Sequence, residues 1–159
     1  MTKAAKRVSR VLIVEDHPIV VDGLRDALRH DDAFEIVGHT DCEAEAVRMA
    51  SEHDPDVAIV DMTLGAGSGL GAIKLLTDEH PDLRVLVFTM HDEALYAERA
   101  MRAGAHGYVN KSATADELLA ALHDVVSGKM AISEELNEHL LQKAIGNAGD
   151  ENGVEALSD

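Results

Sequence analysis

Cysteine is nearly absent from this chain: Cys42 is the one example in 159 residues. That excludes an internal disulfide framework and any cysteine-rich zinc site, and Cys42, at the start of an expected helix, reads as a small filler. Positive charge is scarce too. Against 30 Asp and Glu stand 14 Lys and Arg, a formal net charge of −16. Binding to nucleic acid or anionic lipid runs on clustered Lys and Arg, so a surface this acidic repels both. Long apolar runs are also missing. The basic start, Lys3-Ala4-Ala5-Lys6-Arg7, leads only to the short run Val11 to Val14, too short for a signal-peptide core or a membrane span. The nine His residues are scattered, and no pair has zinc-ligand spacing. What remains is an acidic chain expected in the cytoplasm, of a length that suits one domain.

Its 46% apolar content falls into short runs separated by amphipathic stretches. The runs are Val11-Leu12-Ile13-Val14, Glu35-Ile36-Val37-Gly38, Val57-Ala58-Ile59-Val60, Val85-Leu86-Val87-Phe88 and the weaker Gly107-Tyr108-Val109. The first, third and fourth are apolar throughout, as strands covered on both faces must be. Helical spacing follows each: Val20, Leu24, Ala27 and Leu28 form one stripe, Leu118, Leu122 and Val125 another. Pro18 sits where a first helical residue would be, and Thr114-Ala115-Asp116-Glu117 reads as a capping box. Five strand-then-helix units predict an α/β fold, a parallel sheet with helices on both faces. A further helix is expected around Glu134 to Ile145, with Leu136, Leu140 and Leu141 on one side, before a polar, Gly-rich linker.

Ligands of open parallel sheets bind beyond the carboxyl ends of the strands. Glu15 and Asp16 follow the first run, Asp61 the third, Thr89 the fourth and Lys111 the last. Three close carboxylates repel one another unless one is protonated or a cation sits among them. Oxygen ligands without cysteine point to a hard divalent ion, and Mg2+ suits best. With a hydroxyl and an ammonium added, the set matches the needs of phosphoryl transfer: a metal, donors to the phosphoryl oxygens, and a carboxylate nucleophile. Each residue has a plainer reading as well. Asp16 before His17-Pro18 is also a helix N-cap, Asp61 a turn residue, Thr89 a strand-end side chain, Lys111 a solvated charge. Joint placement at four of five strand ends favours the shared site.

The segments Val11 to Pro18, Val57 to Asp61, Val85-Leu86-Val87-Phe88-Thr89-Met90-His91-Asp92 and Ala103-Gly104-Ala105-His106-Gly107-Tyr108-Val109-Asn110-Lys111 resemble the receiver domain of bacterial two-component response regulators. The His-Pro after the acid pair, Met-His-Asp after the Thr and the Gly-Tyr-x-x-Lys ending are similar to the NarL/FixJ branch, whose output is of the LuxR type. The resemblance implies a doubly wound, flavodoxin-like five-stranded sheet in the order 2-1-3-4-5, plus a C-terminal extra helix. With the resemblance covering about residues 9–130, the chain is expected to divide into an N-terminal tail (1–8), a receiver (9–130), the extra helix (131–146) and a linker (147–159) towards an output domain. The resemblance further implies that Asp61 is the phosphoacceptor, that Asp16, Asp61, Thr63 and, through water, Glu15 hold Mg2+, and that Thr89 and Lys111 contact the phosphoryl group. Tyr108 would be an aromatic switch that turns inward, and Thr63 and His91 would tune hydrolysis. Expected partners are a sensor histidine kinase, a second copy on phosphorylation, and DNA only through a helix-turn-helix domain that Leu157-Ser158 would introduce; no membrane is expected. The role would be regulatory, with no enzymatic activity beyond the chain's own phosphorylation and slow dephosphorylation.

Departures from the family pattern are Leu64-Gly65-Ala66-Gly67-Ser68-Gly69 in place of a proline-containing loop, Ser112 in place of proline, and bulky Met90 after Thr89. The alternative is a module of the same fold that works through protein contacts and is never phosphorylated. Other folds fit less well. Gly67-Ser68-Gly69-Leu70-Gly71-Ala72 with Asp92 mimics a dinucleotide fingerprint but starts too far from its strand. Glu15-Asp16 after the first strand would repel a flavin phosphate. Thr63 stands where a haloacid dehalogenase phosphatase needs a second Asp.

Overall fold

The computed structural model describes residues 8–62, 69–90, 94–133, 136–143 and 145. Five strands alternate with five helices: β1 (Ser9–Val14), α1 (Pro18–Arg29), β2 (Phe34–Thr40), α2 (Glu43–His53), β3 (Val57–Val60), α3 (Gly69–Glu79), β4 (Arg84–Thr89), α4 (Ala94–Ala103), β5 (Gly107–Asn110) and α5 (Ala115–Val126). Every strand pair is parallel, and the order is β2-β1-β3-β4-β5. Residues 136–143 form a further helix, α6. The doubly wound sheet and its strand order are as expected.

Alternation along each strand explains why the runs are apolar throughout. Val11 and Ile13 face one side, packed with Val21, Leu24, Ala27 and Leu28 of α1 and with Leu118, Leu122 and Val125 of α5. Leu12 and Val14 face the other, packed with Ala46 and Ala50 of α2, Ile73 and Leu76 of α3, and Ala97 and Ala100 of α4. The apolar stretches of β1 and β3 are therefore sealed on both faces, each Val, Leu or Ile side chain contributing roughly 1.5–3 kcal/mol of burial. β2 lies at the sheet edge and runs to Thr40, beyond its apolar stretch. Thr40 is tied in by its carbonyl, which accepts the Glu15 N–H at 2.9 Å.

Local expectations need three corrections. Pro18 does open α1, but the N-cap is His17, in an extended conformation, not Asp16; the acid is left for other work. The buried stripe of α1 runs through Val21 rather than Val20, which packs only partly against the same cluster. In α6, Leu136 packs on the core and Leu140 is half-buried, but Leu141 is 54% exposed because it lies round the helix from them. Glu134, Glu135, the tail before Val8 and the linker lie outside the described residues.

The capping box at α5 forms as read: the Thr114 Oγ1 accepts the Glu117 N–H at 3.1 Å, and the Thr114 N–H donates to Glu117 Oε1 at 2.9 Å. Farther along, α5 is tied to the α1–β2 turn. Asp31 accepts the Ala33 N–H at 2.9 Å and pairs with His123 Nε2 at 2.8 Å, while the His123 ring meets Phe34 edge-on. The Ala33 N–H and then His123 hold the Asp31 carboxyl below its ordinary 3.8. A depressed carboxylate contributes stability above its ordinary pKa, and that contribution fades as the pH falls through the lowered value. Asp31→Ala is therefore expected to cost about 1 kcal/mol at pH 7, with the difference closing below about pH 4. Urea unfolding of the two proteins at pH 7, 4 and 3 measures this.

Candidate functional site

The carboxyl ends of β1, β3 and β5 bring the predicted residues to one rim. Parallel pairing sets them level: Val14 lies beside Val60, and the Asp61 N–H donates to the Val14 carbonyl at 3.0 Å. Asp61 therefore begins where β3 ends, one strand away from Glu15 and Asp16. Ligand atoms of Glu15, Asp16, His17 and Asp61 all lie within 4.8 Å of one another. Glu15 is 2% exposed and Asp61 1%. Carboxylates this close and this dry need compensation.

Lys111 supplies it. Its Nζ lies 3.0 Å from Glu15 Oε1 and 3.2 Å from Asp61 Oδ2, and the side chain is only 7% exposed. Its N–H donates to the Thr89 carbonyl at 2.8 Å, so the ends of β4 and β5 are joined directly behind the acids. Thr89 is fully buried at the same rim. Asn110 reinforces the junction, donating from Nδ2 to the Met90 carbonyl at 3.3 Å and accepting the Ser112 N–H at 2.8 Å. A proline at 112 could not make that second bond, so serine there anchors the turn differently. Met90 is 73% exposed and turned to solvent, so its bulk does not bar the rim. Tyr108 is buried in the cluster that also holds Ala97, Ala100 and Ala105.

One participant was not assigned from sequence. The His17 Nδ1 sits 2.6 Å from Glu15 Oε2, 3.1 Å from Asp16 Oδ1 and 3.8 Å from Asp61 Oδ2. Its hydrogen bond to Glu15, backed by the Asp16 charge, raises its pKa above 6.5. The imidazole thus reaches into the space between the three acids from a position 56% exposed to solvent. The signal was its place directly after the acid pair, which puts it near the rim without assigning it a role there.

Below Asp61, the start of α3 fits closely against the strand end. The Gly69 N–H donates to the Met62 carbonyl at 3.1 Å, and a Cβ at Gly69 would lie 2.1 Å from the Asp61 carbonyl oxygen. Only glycine permits this approach, which closes the base of the segment after Asp61. Thr63 and His91 lie outside the described residues. A cavity of about 340 Å³ lined by Glu15, Asp16, Asp22, Arg25, His39 and Asp41 opens beside the acids. A larger one, about 570 Å³, lies at the amino ends of the strands, away from all of these residues.

The convergent carboxylates of Glu15, Asp16 and Asp61 form a cluster that could hold a hard divalent cation. Doubly wound topology with an acidic rim and a lysine at the last strand end defines a receiver-type signalling module. The chain belongs to the response regulator receiver domain family, whose model matches residues 11–123. It is 31% identical over 150 residues to the response regulator GacA of Pseudomonas aeruginosa, covering 94% of this chain and 70% of that protein. Across four curated relatives the chain spans 63–70% of their length. A LuxR-family two-component response regulator from Aurantimonas sp. SI85-9A1 superposes with a TM-score of 0.79 at 31% identity, over 87% of this chain and 99% of that one. The isolated receiver of RcsB from Salmonella enterica serovar Typhimurium, with the phosphomimetic BeF3−, gives 0.75 at 25% identity, over 83% and 98%. The chain is thus a receiver domain of a two-component response regulator with LuxR-family relatives. No helix among the described residues is long and apolar enough to cross a membrane.

Lys111 is a buried charge shared by two buried carboxylates. Without divalent cations, Lys111→Met is expected to lower stability by about 3 kcal/mol. Adding Asp61→Asn should recover part of that loss, since one of the stranded charges goes with it. Urea unfolding of the two single variants and the double variant measures the coupling.

Proposed function

We propose that Asp61 is phosphorylated in a Mg2+-dependent reaction, with a histidine kinase as donor. The observation that carries this reading is the Asp61 carboxylate held within one cluster by Lys111, Glu15 and Asp16. In this reading Asp61 attacks the phosphorus through Oδ, and the phosphoryl bond to the donor breaks as the new acyl phosphate forms. A cation held by Glu15, Asp16 and Asp61, with Thr63 as the family pattern adds, would neutralise charge on the transferring group. Lys111 would follow Asp61 and pair with the phosphoryl oxygens, and the Thr89 hydroxyl would donate to them. His17, whose ring lies among the acids, would have to give up its contacts to Glu15 and Asp16 where a cation takes their oxygens.

Chemistry of the chain would then be limited to its own phosphorylation and slow hydrolysis, with a regulatory outcome: pairing with a second copy and control of an attached DNA-binding output domain. A net charge of −16 disfavours contact with a nucleic-acid backbone, which fits a division of labour in which the output domain meets the DNA. Cytoplasmic placement follows from that partner. A phosphorylation-independent module is the competing reading; it would not require a lysine to be buried between two acids.

Treatment with acetyl phosphate and Mg2+ is expected to add one phosphoryl group, at Asp61 by peptide mass spectrometry. Neither Asp61→Asn nor EDTA-treated protein should be modified. A wild-type protein that stays unmodified under the same conditions contradicts the reading. Once phosphorylated, Thr63→Ala and His91→Ala should change the hydrolysis rate by more than about twofold, or ~0.5 kcal/mol of barrier; rates inside that range remove both residues from the hydrolytic path.

A further inference from the structure

Of the four residues whose donor atoms converge at the rim, His17 is the one to which phosphoryl transfer assigns no role. It stands at the N-cap of α1, yet its side chain makes no capping bond. Its backbone is pinned on both sides. The N–H donates to Glu15 Oε2 at 3.0 Å, and the carbonyl accepts the Val20 and Val21 N–H groups at 3.0 and 3.1 Å. Proline confines the residue before it to extended backbone, and His17 lies there, at φ −100° and ψ 112°. The main chain therefore aims the imidazole, with Nδ1 towards the acids and the rest of the ring half in solvent.

The spacing of the donors suits one shared ion. Nδ1 lies 3.1 Å from Asp16 Oδ1 and 3.8 Å from Asp61 Oδ2. Two donors bound to one first-row ion at about 2.1 Å are about 3.0 Å apart when adjacent and about 4.2 Å apart when opposite. Both separations fall inside that range. The 2.6 Å contact with Glu15 Oε2 is shorter than adjacent ligands allow and is a hydrogen bond, which leaves Glu15 to act through water. An imidazole among carboxylates changes which ion is preferred. Mg2+ takes oxygen ligands and can use these acids only with the ring displaced. Ions such as Co2+ and Zn2+ accept imidazole nitrogen and bind mixed nitrogen and oxygen sites more tightly. We propose that His17 Nδ1 is a metal ligand beside Asp16 and Asp61, and that it selects a borderline first-row divalent ion over Mg2+. The proposal rests on the reading of the acidic cluster as a cation site. On binding, the proton between Nδ1 and Glu15 passes to solvent, and the freed nitrogen lone pair binds the ion.

Calorimetric titration of the whole 159-residue chain with Co2+ and, separately, with Mg2+ tests this. Wild type is expected to bind one Co2+ at the rim about tenfold or more tighter than Mg2+. His17→Ala should weaken Co2+ binding by about tenfold or more and leave Mg2+ binding equal or tighter, because the ring no longer competes for the acids. Asp16→Asn should weaken both ions. Proton resonance spectra of the Co2+ form read the bond itself: the ring protons of one histidine should be strongly shifted in wild type and missing from the spectrum of His17→Ala. Affinities that fall alike for both ions in His17→Ala, or for neither, overturn the ligand role and leave the cation site standing. Co2+ binding no tighter than Mg2+ binding in wild type overturns the selection. No saturable binding of either ion, or binding unchanged in Asp16→Asn, overturns the cation site and the proposal together.

Discussion

Asp61 sits at the end of a central strand with its carboxylate out of water, beside two other acids, and the Lys111 ammonium is what makes that tolerable. Burying like charges together is unfavourable unless a cation is near. Here the cation arrives from a different strand, 50 residues away along the chain. Its position depends on β5 being paired with β4, on the Lys111 N–H reaching the Thr89 carbonyl, and on the turn that Asn110 and Ser112 tie down. The same contact links fold to function. The charge balance at Asp61 cannot change without a change in the pull on Lys111.

The remainder of the architecture serves that balance. Sealed faces on β1 and β3 help to fix Glu15, Asp16 and Asp61 at the rim, because a strand that slid along its axis would drag these charged residues into the apolar core. Gly69 lets α3 approach the Asp61 backbone, and α4 with α6 covers the side of β5 that ends at Lys111. The net negative charge disfavours contact of this module with a nucleic-acid backbone.

Much of this was legible in the residues. Strands buried on both faces announce themselves as unbroken apolar runs, and the polar residue after each run must lie at the carboxyl rim, so Glu15, Asp16, Asp61, Thr89 and Lys111 could be gathered before any coordinates. The Thr114 capping box was equally plain, being a local pattern. What escaped notice depends on side-chain direction. His17 before a proline looks like a helix approach, and nothing in its spacing says that the ring turns back between three acids. Val20 and Val21 differ by one helical step, and propensity cannot choose which faces the core. The reach of β2 to Thr40 is set by backbone pairing, not by apolar content. The bridge between Ala131 and β5, likewise, depends on a glycine at 107 whose purpose is visible only once Ala131 lies against it.

A central claim unites these features: Glu15, Asp16 and Asp61 form one cation site that Lys111 and His17 partly neutralise. Mg2+ titration followed by amide chemical shifts tests it most directly. The account predicts a single saturable site whose shifts centre on residues 15–17, 61 and 111, weakened on the order of tenfold or more by Asp16→Asn. Shifts scattered over the acidic surface, equal in wild type and Asp16→Asn, would contradict it.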